Sequence, residues 1–186
     1  MNNVVPYVIY ADGACLNNGR EDAVAGYGAI LRNLQGDYLE LAGPVPKSEP
    51  QTNNRGELLA ALCALSKPKD NAPVLLLSDS QLVIKGINEW LDGWKAKGWR
   101  RADKKPVEHR DIWEQIDAHK QRLQLTAQWV RGHNREPGNE HADRLAFQGA
   151  QGLTIQRRIA EADAKVSLPI VSAHLSQVAE RNSTNS

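Results

Sequence analysis

What most limits the fold of this chain is the order in which its hydrophobic period changes. Three short apolar runs come first, "VVPYVIYA", "VAGYGAILRN" and "YLELAGPV", the last two joined by the turn "LQGD". Consecutive strands with short links fold back on one another, so these runs predict an antiparallel meander. At "TNNRGELLAALCALSK" the period becomes helical, with Leu58, Leu62 and Leu65 at i, i+4 and i+7 as a core-facing stripe. "VLLLSD" reads as a short buried strand and "SQLVIKGINEWLDGW" as a helix. "VEHRDIWEQIDAHKQRL" is an amphipathic helix with Ile112, Ile116 and His119 in line. "LTAQWVRG" is a last strand and "NEHADRLAFQGA" a last helix. The order is β-β-β-α-β-α-α-β-α. Strands that follow helices return parallel to the first through right-handed crossovers. The expected architecture is α/β: a five-stranded mixed sheet, an antiparallel meander then parallel strands, with helices on both faces.

The pattern holds to about Gly152 and then weakens. We therefore expect a folded domain over 1–152 and a C-terminal extension over 153–186, with one helix in "LTIQRRIAEADAKVSL" and then a loose polar tail. Cys15 and Cys63 lack the number and spacing of a disulfide framework or a zinc site, and read as reduced thiols. No apolar stretch approaches a membrane span, and the first residues lack the marks of a secretory leader. The expectation is a cytoplasmic monomer with no membrane partner. A whole-chain net charge of +1 selects no partner, so any basic patch is local.

Asp12 stands where the first apolar run stops, with Gly13 after it. An Asp-Gly pair alone is a common turn starter. Asp79 closes "VLLLSD" in the same way. If the two strands are parallel neighbours, both acids leave the same edge of the sheet, where α/β proteins build sites. Glu57 and Asp143 each read as lying in the first turn of a helix, on the shoulder of a buried stripe. Each acid has an ordinary alternative: Asp79 as a helix cap, Glu57 and Asp143 as partners of a helix dipole. Together they ask four acids from four elements to share one crevice. Clustered carboxylates repel unless a cation binds them, and oxygen donors without His or Cys favour Mg²⁺ or Mn²⁺ over zinc. Two such ions about 3.5–4 Å apart are the usual device for phosphodiester displacement.

"YADGACLNNG", "QTNNRGELLAAL", "LLSDSQLVIKGI" and "WVRGHNREPGNEHADRLA", in that order, resemble the type 1 ribonuclease H family of bacteria. The resemblance spans about residues 5 to 150. Single motifs such as "SDS" are weak; the ordered set is specific. It implies a ribonuclease H-like fold and an endoribonuclease that hydrolyses the RNA strand of an RNA–DNA hybrid with two metal ions. The ions would be Mg²⁺, with Mn²⁺ as a substitute. It puts the metal-binding acids on Asp12, Glu57, Asp79 and Asp143, and a loop histidine for proton handling or product release on His133. Contacts to 2′-hydroxyls and bases fall on Asn18, Asn53, Asn54 and Gln81, with backbone help near Cys15. A DNA-strand phosphate falls on Thr52, and the aromatic wall of the DNA groove on Trp90 and Trp94. On this reading Gly13 leaves room for an RNA backbone.

"KAKGWRRADKKPV" resembles the family's basic protrusion. Six cations stand against one acid between Lys95 and Lys105, with Lys95, Lys97, Arg100 and Arg101 as the expected phosphate contacts. Two rival readings have different consequences. An integrase- or resolvase-type nuclease of the same superfamily also uses an acid cluster, but "TNNRGEL" and "GHN" argue against it. A hybrid-binding protein without cleavage requires a missing acid, and all four are present.

Overall fold

The computed structural model describes residues 6–132, 136–160 and 163. The first three strands are β1 (Tyr7–Leu16), β2 (Val24–Arg32) and β3 (Tyr38–Pro44), paired antiparallel as a meander. α1 (Asn53–Leu65) leads to β4 (Pro73–Ser78). A helical stretch follows, built from α2 (Gln81–Lys85), one π-helical turn (Gly86–Trp90) and α3 (Leu91–Ala96). Then come α4 (Arg110–Arg122), β5 (Gln124–Trp129), α5 (Pro137–Ala150) and β6 (Ile155–Ile159). β4 lies parallel to β1, and β5 parallel to β4.

Among the described residues the sheet has six strands, in the order β5-β4-β1-β2-β3-β6, not five. The extra strand is "IQRRI", which falls within the stretch expected to be a helix. Its pairing explains the difference. Ile155 and Ile159 pack on the core beside α5, while Arg157 lies opposite Glu40 of β3. Ile155, Arg157 and Ile159 share one face, so a cation sits between the only two apolar residues, and five residues with that pattern do not stand out as a strand. Beyond Ala160, only Asp163 of the extension is among the described residues.

Alternate residues of each strand feed two cores. Ile9, Ala11, Ala29, Leu31 and Leu76 face α1 and α4, with Leu58, Leu65, Ile112, Ile116 and Trp113. Val8, Tyr10, Ile30, Leu75 and Leu77 face α5, with Ala142 and Leu145. A sheet covered by helices on both faces reads as near-continuous apolar strands, which is why "VIYA" and "VLLL" show little alternation. α5 lies with its backbone almost on β2: a Cβ at Gly28 would come within 2.2 Å of the Ala146 nitrogen. Among the described residues, no helix is long and apolar enough to cross a membrane.

Candidate active site

Asp12 is not at the end of its strand. β1 continues to Leu16 along β2, with Asp12 opposite Gly28. The partner that ends is β4, which pairs with β1 only over Tyr7–Tyr10 and stops at Ser78. Asp12 therefore stands where β1 has lost its neighbour on that side, and Asp79 is the residue just beyond that neighbour. Both acids thus leave the same edge, just past the parallel β1–β4 pairing, although only Asp79 follows the end of its strand.

The ordinary alternatives for the other acids fail on geometry. Ser80 caps α2, its Oγ accepting from the Val83 nitrogen at 3.2 Å, so Asp79 is left for other work. Glu57 and Asp143 belong to the second turns of α1 and α5, not the first. A helix dipole acts mainly within the first turn, so it accounts for neither acid.

Asp12 is 7% exposed, and its carboxyl is pushed up to about 8. Burial is the main cause, followed by the charge of Asp79. A hydrogen bond from the Gly13 nitrogen opposes the rise, and the charges of Asp143 and Glu57 add to it. The other three acids are thus near enough for Asp12 to feel each of them. Glu57 is also raised by burial and by Asp79, against a hydrogen bond from Ser80 Oγ at 2.5 Å. Asn53 Nδ2 donates to the other Glu57 oxygen at 2.7 Å. Among the described residues, no Lys or Arg forms an ion pair with any of the four. Nor do three of them draw together into a finished metal cage. The donor set is therefore all oxygen, anionic and without a paired cation among the described residues, which fits a hard divalent cation.

Gly13 has a different use from the one expected. A Cβ there would meet the Glu57 nitrogen at 2.2 Å and the Gly56 carbonyl carbon at 2.6 Å. Its missing side chain lets α1 lie on β1 and brings Glu57 beside Asp12, rather than leaving room for RNA.

The expected substrate contacts fall on several elements. Asn53 and exposed Asn54 open α1, exposed Gln81 opens α2, and exposed Asn18 lies in the turn after β1. Cys15 is partly buried, with its thiol toward the Gln51 carbonyl oxygen at 3.4 Å and raised by burial. Thr52 is the N-cap of α1, its Oγ1 accepting from the Arg55 nitrogen at 3.2 Å. Trp90 and Trp94 lie at opposite ends of one helical turn, ring centres 5.7 Å apart, and Trp94 rests edge-on against buried Trp113. In the basic segment, Lys95 pairs with Asp117 at 2.7 Å, and Arg101 with Asp103 at 3.0 Å and Glu108 at 3.5 Å. Arg100 donates to the Lys104 carbonyl oxygen, closing the loop on itself. Lys97 has no side-chain partner among the described residues. His133 lies outside the described residues.

Several residues that shape the site were missed from sequence. Arg55, 5% exposed, grips both oxygens of Asp111 at 2.8 and 2.5 Å and also holds Glu49, fixing the start of α1 against α4. Its place on the core stripe three residues before Leu58 was the available signal. Ser80, Trp129 and Asn139 each bond an acid residue of the site. Asn139 is four residues before Asp143, a spacing that shares a helix face.

Comparison with known proteins agrees with this geometry. The RNase H family matches residues 5–151. Ribonuclease H of Pseudomonas aeruginosa (strain LESB58) is 47% identical over 147 residues, covering 78% of this chain and 94% of that protein. Ribonuclease H of Cupriavidus metallidurans is 47% identical over 145 residues, covering 78% and 95%. The solution structure of the PFV RNase H domain superposes with a TM-score of 0.64 at 27% identity, over 78% of this chain and 96% of that one. The crystal structure of LC9-RNase H1, a type 1 RNase H with the type 2 active-site motif, shares the fold at a TM-score of 0.72 and 23% identity, over 90% and 88%. With this fold, this order of acids and relatives matched over nearly their whole length, the chain belongs to the ribonuclease H family, in its type 1, bacterial ribonuclease HI-like branch.

Proposed function

We propose that this ribonuclease H hydrolyses the RNA strand of RNA–DNA hybrids at the edge formed by Asp12, Glu57, Asp79 and Asp143. The carrying observation is that Asp12 is pushed up to about 8, first by burial and then by the charges of Asp79, Asp143 and Glu57, while no Lys or Arg among the described residues pairs with any of the four. These four residues would hold the divalent ions the family uses: two Mg²⁺, with Mn²⁺ as a substitute. Bound there, such ions would supply Lewis-acid stabilisation and a more acidic water. Asn53 and Ser80 orient Glu57 by hydrogen bonds to its two oxygens. Asn18, Asn53, Asn54 and Gln81, with the backbone near Cys15, read the 2′-hydroxyls that distinguish RNA from DNA. Thr52, Trp90 and Trp94 take the DNA strand, and Lys97, Lys95, Arg100 and Arg101 meet its phosphates. His133 handles a proton or aids product release. Residues 1–152 carry all these groups, so the extension is dispensable for chemistry. One copy supplies the whole acid set, which supports a monomer.

A cleavage assay on hybrid, duplex RNA and duplex DNA, each with MgCl₂ and with a chelator, tests the reading. The hybrid alone should be cut efficiently, and only with metal. Equal cutting of duplex RNA and hybrid, or full activity in chelator, would refute it.

A further inference from the structure

Asp79 is held by groups that the acid set does not account for. Asn139, in the first turn of α5 and 3% exposed, donates Nδ2 to Asp79 Oδ2 at 3.2 Å. Trp129, the last residue of β5, donates Nε1 to the Asp79 main-chain oxygen at 2.9 Å. Gly132 lies so close that a Cβ there would come within 2.4 Å of the same Oδ2.

The chemistry of Asn139 fixes its orientation. A carboxylate only accepts, so the amide must turn its NH₂ to Asp79 and its oxygen away. That oxygen is then buried with no donor among the described residues. The end of the amide that has a partner among the described residues is the one on Asp79, and buried polar groups are held where they bond. Trp129 raises the same question from the opposite side. It is 44% exposed, so packing does not account for a large ring there, yet its indole is tied to the residue that carries the acid.

We propose that Asn139 and Trp129 are positioning residues for Asp79. Asn139 fixes the rotamer of the carboxylate by occupying one oxygen, leaving the other for metal. Trp129 fixes the peptide from which that carboxylate hangs. The inference rests on reading Asp79 as a metal-holding acid. Partners behind metal ligands commonly matter 10–100-fold in affinity or activity.

The test is titration of MnCl₂ into the substrate-free protein by calorimetry, beside kinetics on a hybrid. Asn139→Ala should weaken metal binding by about 10–100-fold and lower kcat comparably, with KM for the hybrid within about twofold. Its metal-free melting temperature should not fall, because a clamp on an acid differs from a packing residue. Trp129→Phe keeps a ring and removes the donor, and should weaken metal binding by about threefold to tenfold. It also stands as the independent arm if Asn139→Ala fails to fold. Metal affinity unchanged within twofold in the folded variants, beside a wild type that binds, overturns the proposal alone. A wild type that binds no divalent ion overturns the functional reading, and the proposal with it.

Discussion

Two carboxylates are buried in the same sheet, and the protein treats them in opposite ways. Glu40 on β3 is 3% exposed; Asp12 on β1 is 7% exposed. Glu40 is compensated on both oxygens. His141 of α5 lies 2.7 Å from one, and Arg157 of β6 bonds the other through Nε at 2.9 Å and again through Nη2. Asp12 has the Gly13 nitrogen and three other acids for company. A buried charge is costly unless paired, so an acid that supports the fold brings its cation with it. An acid left uncompensated is destabilising by itself and is retained for what it binds from solution. The comparison separates structural from functional charge without reference to any relative.

The strongest way to break the comparison is Asp12→Asn. Cleavage of a hybrid should fall by at least about 100-fold, since misplacing reacting groups alone costs that much. Hybrid binding should survive, because the groove is untouched. Single-turnover cleavage and a binding titration measure the two separately, and more than a hundredth of the wild-type rate would sink the assignment.

The same variant should gain stability. Folded Asp12 keeps its proton up to about pH 8, whereas the unfolded chain releases it near 3.8. Between those values the native state binds more protons, so this group's contribution makes stability fall as pH rises. In chelator, Asp12→Asn should be more stable than wild type by several kcal/mol at pH 8 and by almost nothing at pH 4. Denaturant melts at the two pH values decide it. A variant less stable at pH 8 would mean that Asp12 supports the fold after all.

At Glu40, loss of a partner should destabilise the fold. Arg157→Ala removes one of its two partners, and stability should drop by about 1–3 kcal/mol. The chain ending after Leu153, which removes β6 entirely, should lose at least as much. Both should still cut hybrid at low temperature with kcat within about twofold of wild type. Loss of cleavage in folded protein would show that β6 belongs to the catalytic machinery.

The smallest effect extends the comparison to cations. Lys95 is tied to Asp117, a side chain 10% exposed, whereas Lys97 has no partner among the described residues. Lys97→Ala should flatten the salt dependence of hybrid binding by about one unit, the value for one phosphate contact. Lys95→Ala should change that slope less and lower the melting temperature instead. Equal slopes for the two would erase the distinction.

The sequence made the acids legible because their positions follow from strand ends and helix stripes. It predicted the two parallel strands, the meander and the sharing of one edge by Asp12 and Asp79. It did not show that β1 runs on past Asp12, because a strand buried on both faces looks the same whether one neighbour or two accompany it. It put Glu57 and Asp143 one turn too early, because Thr52 and Pro137 start their helices before the apolar pattern does. It missed Arg55, Ser80, Trp129 and Asn139, whose bonds to Asp111, Glu57 and Asp79 span 23 to 60 residues of sequence. Nothing local marks a contact at that separation. The basic segment was legible as charge, but not which of its charges were already spent on Asp117, Asp103 and Glu108.

β6 has a consequence for how copies of this protein meet. With it in place, the outer rim of the sheet is a five-residue strand carrying Arg157 and Arg158 side by side. Two such rims approaching in solution bring like charges together, and a short, cationic border is a poor template for strand addition. Without β6, the seven residues of β3 become the border, with Leu39 and Leu41 among them and a full row of open amide and carbonyl groups. The strand thus acts on colloidal behaviour as well as on folding: it closes the route by which concentrated or heat-stressed protein would grow sheet upon sheet.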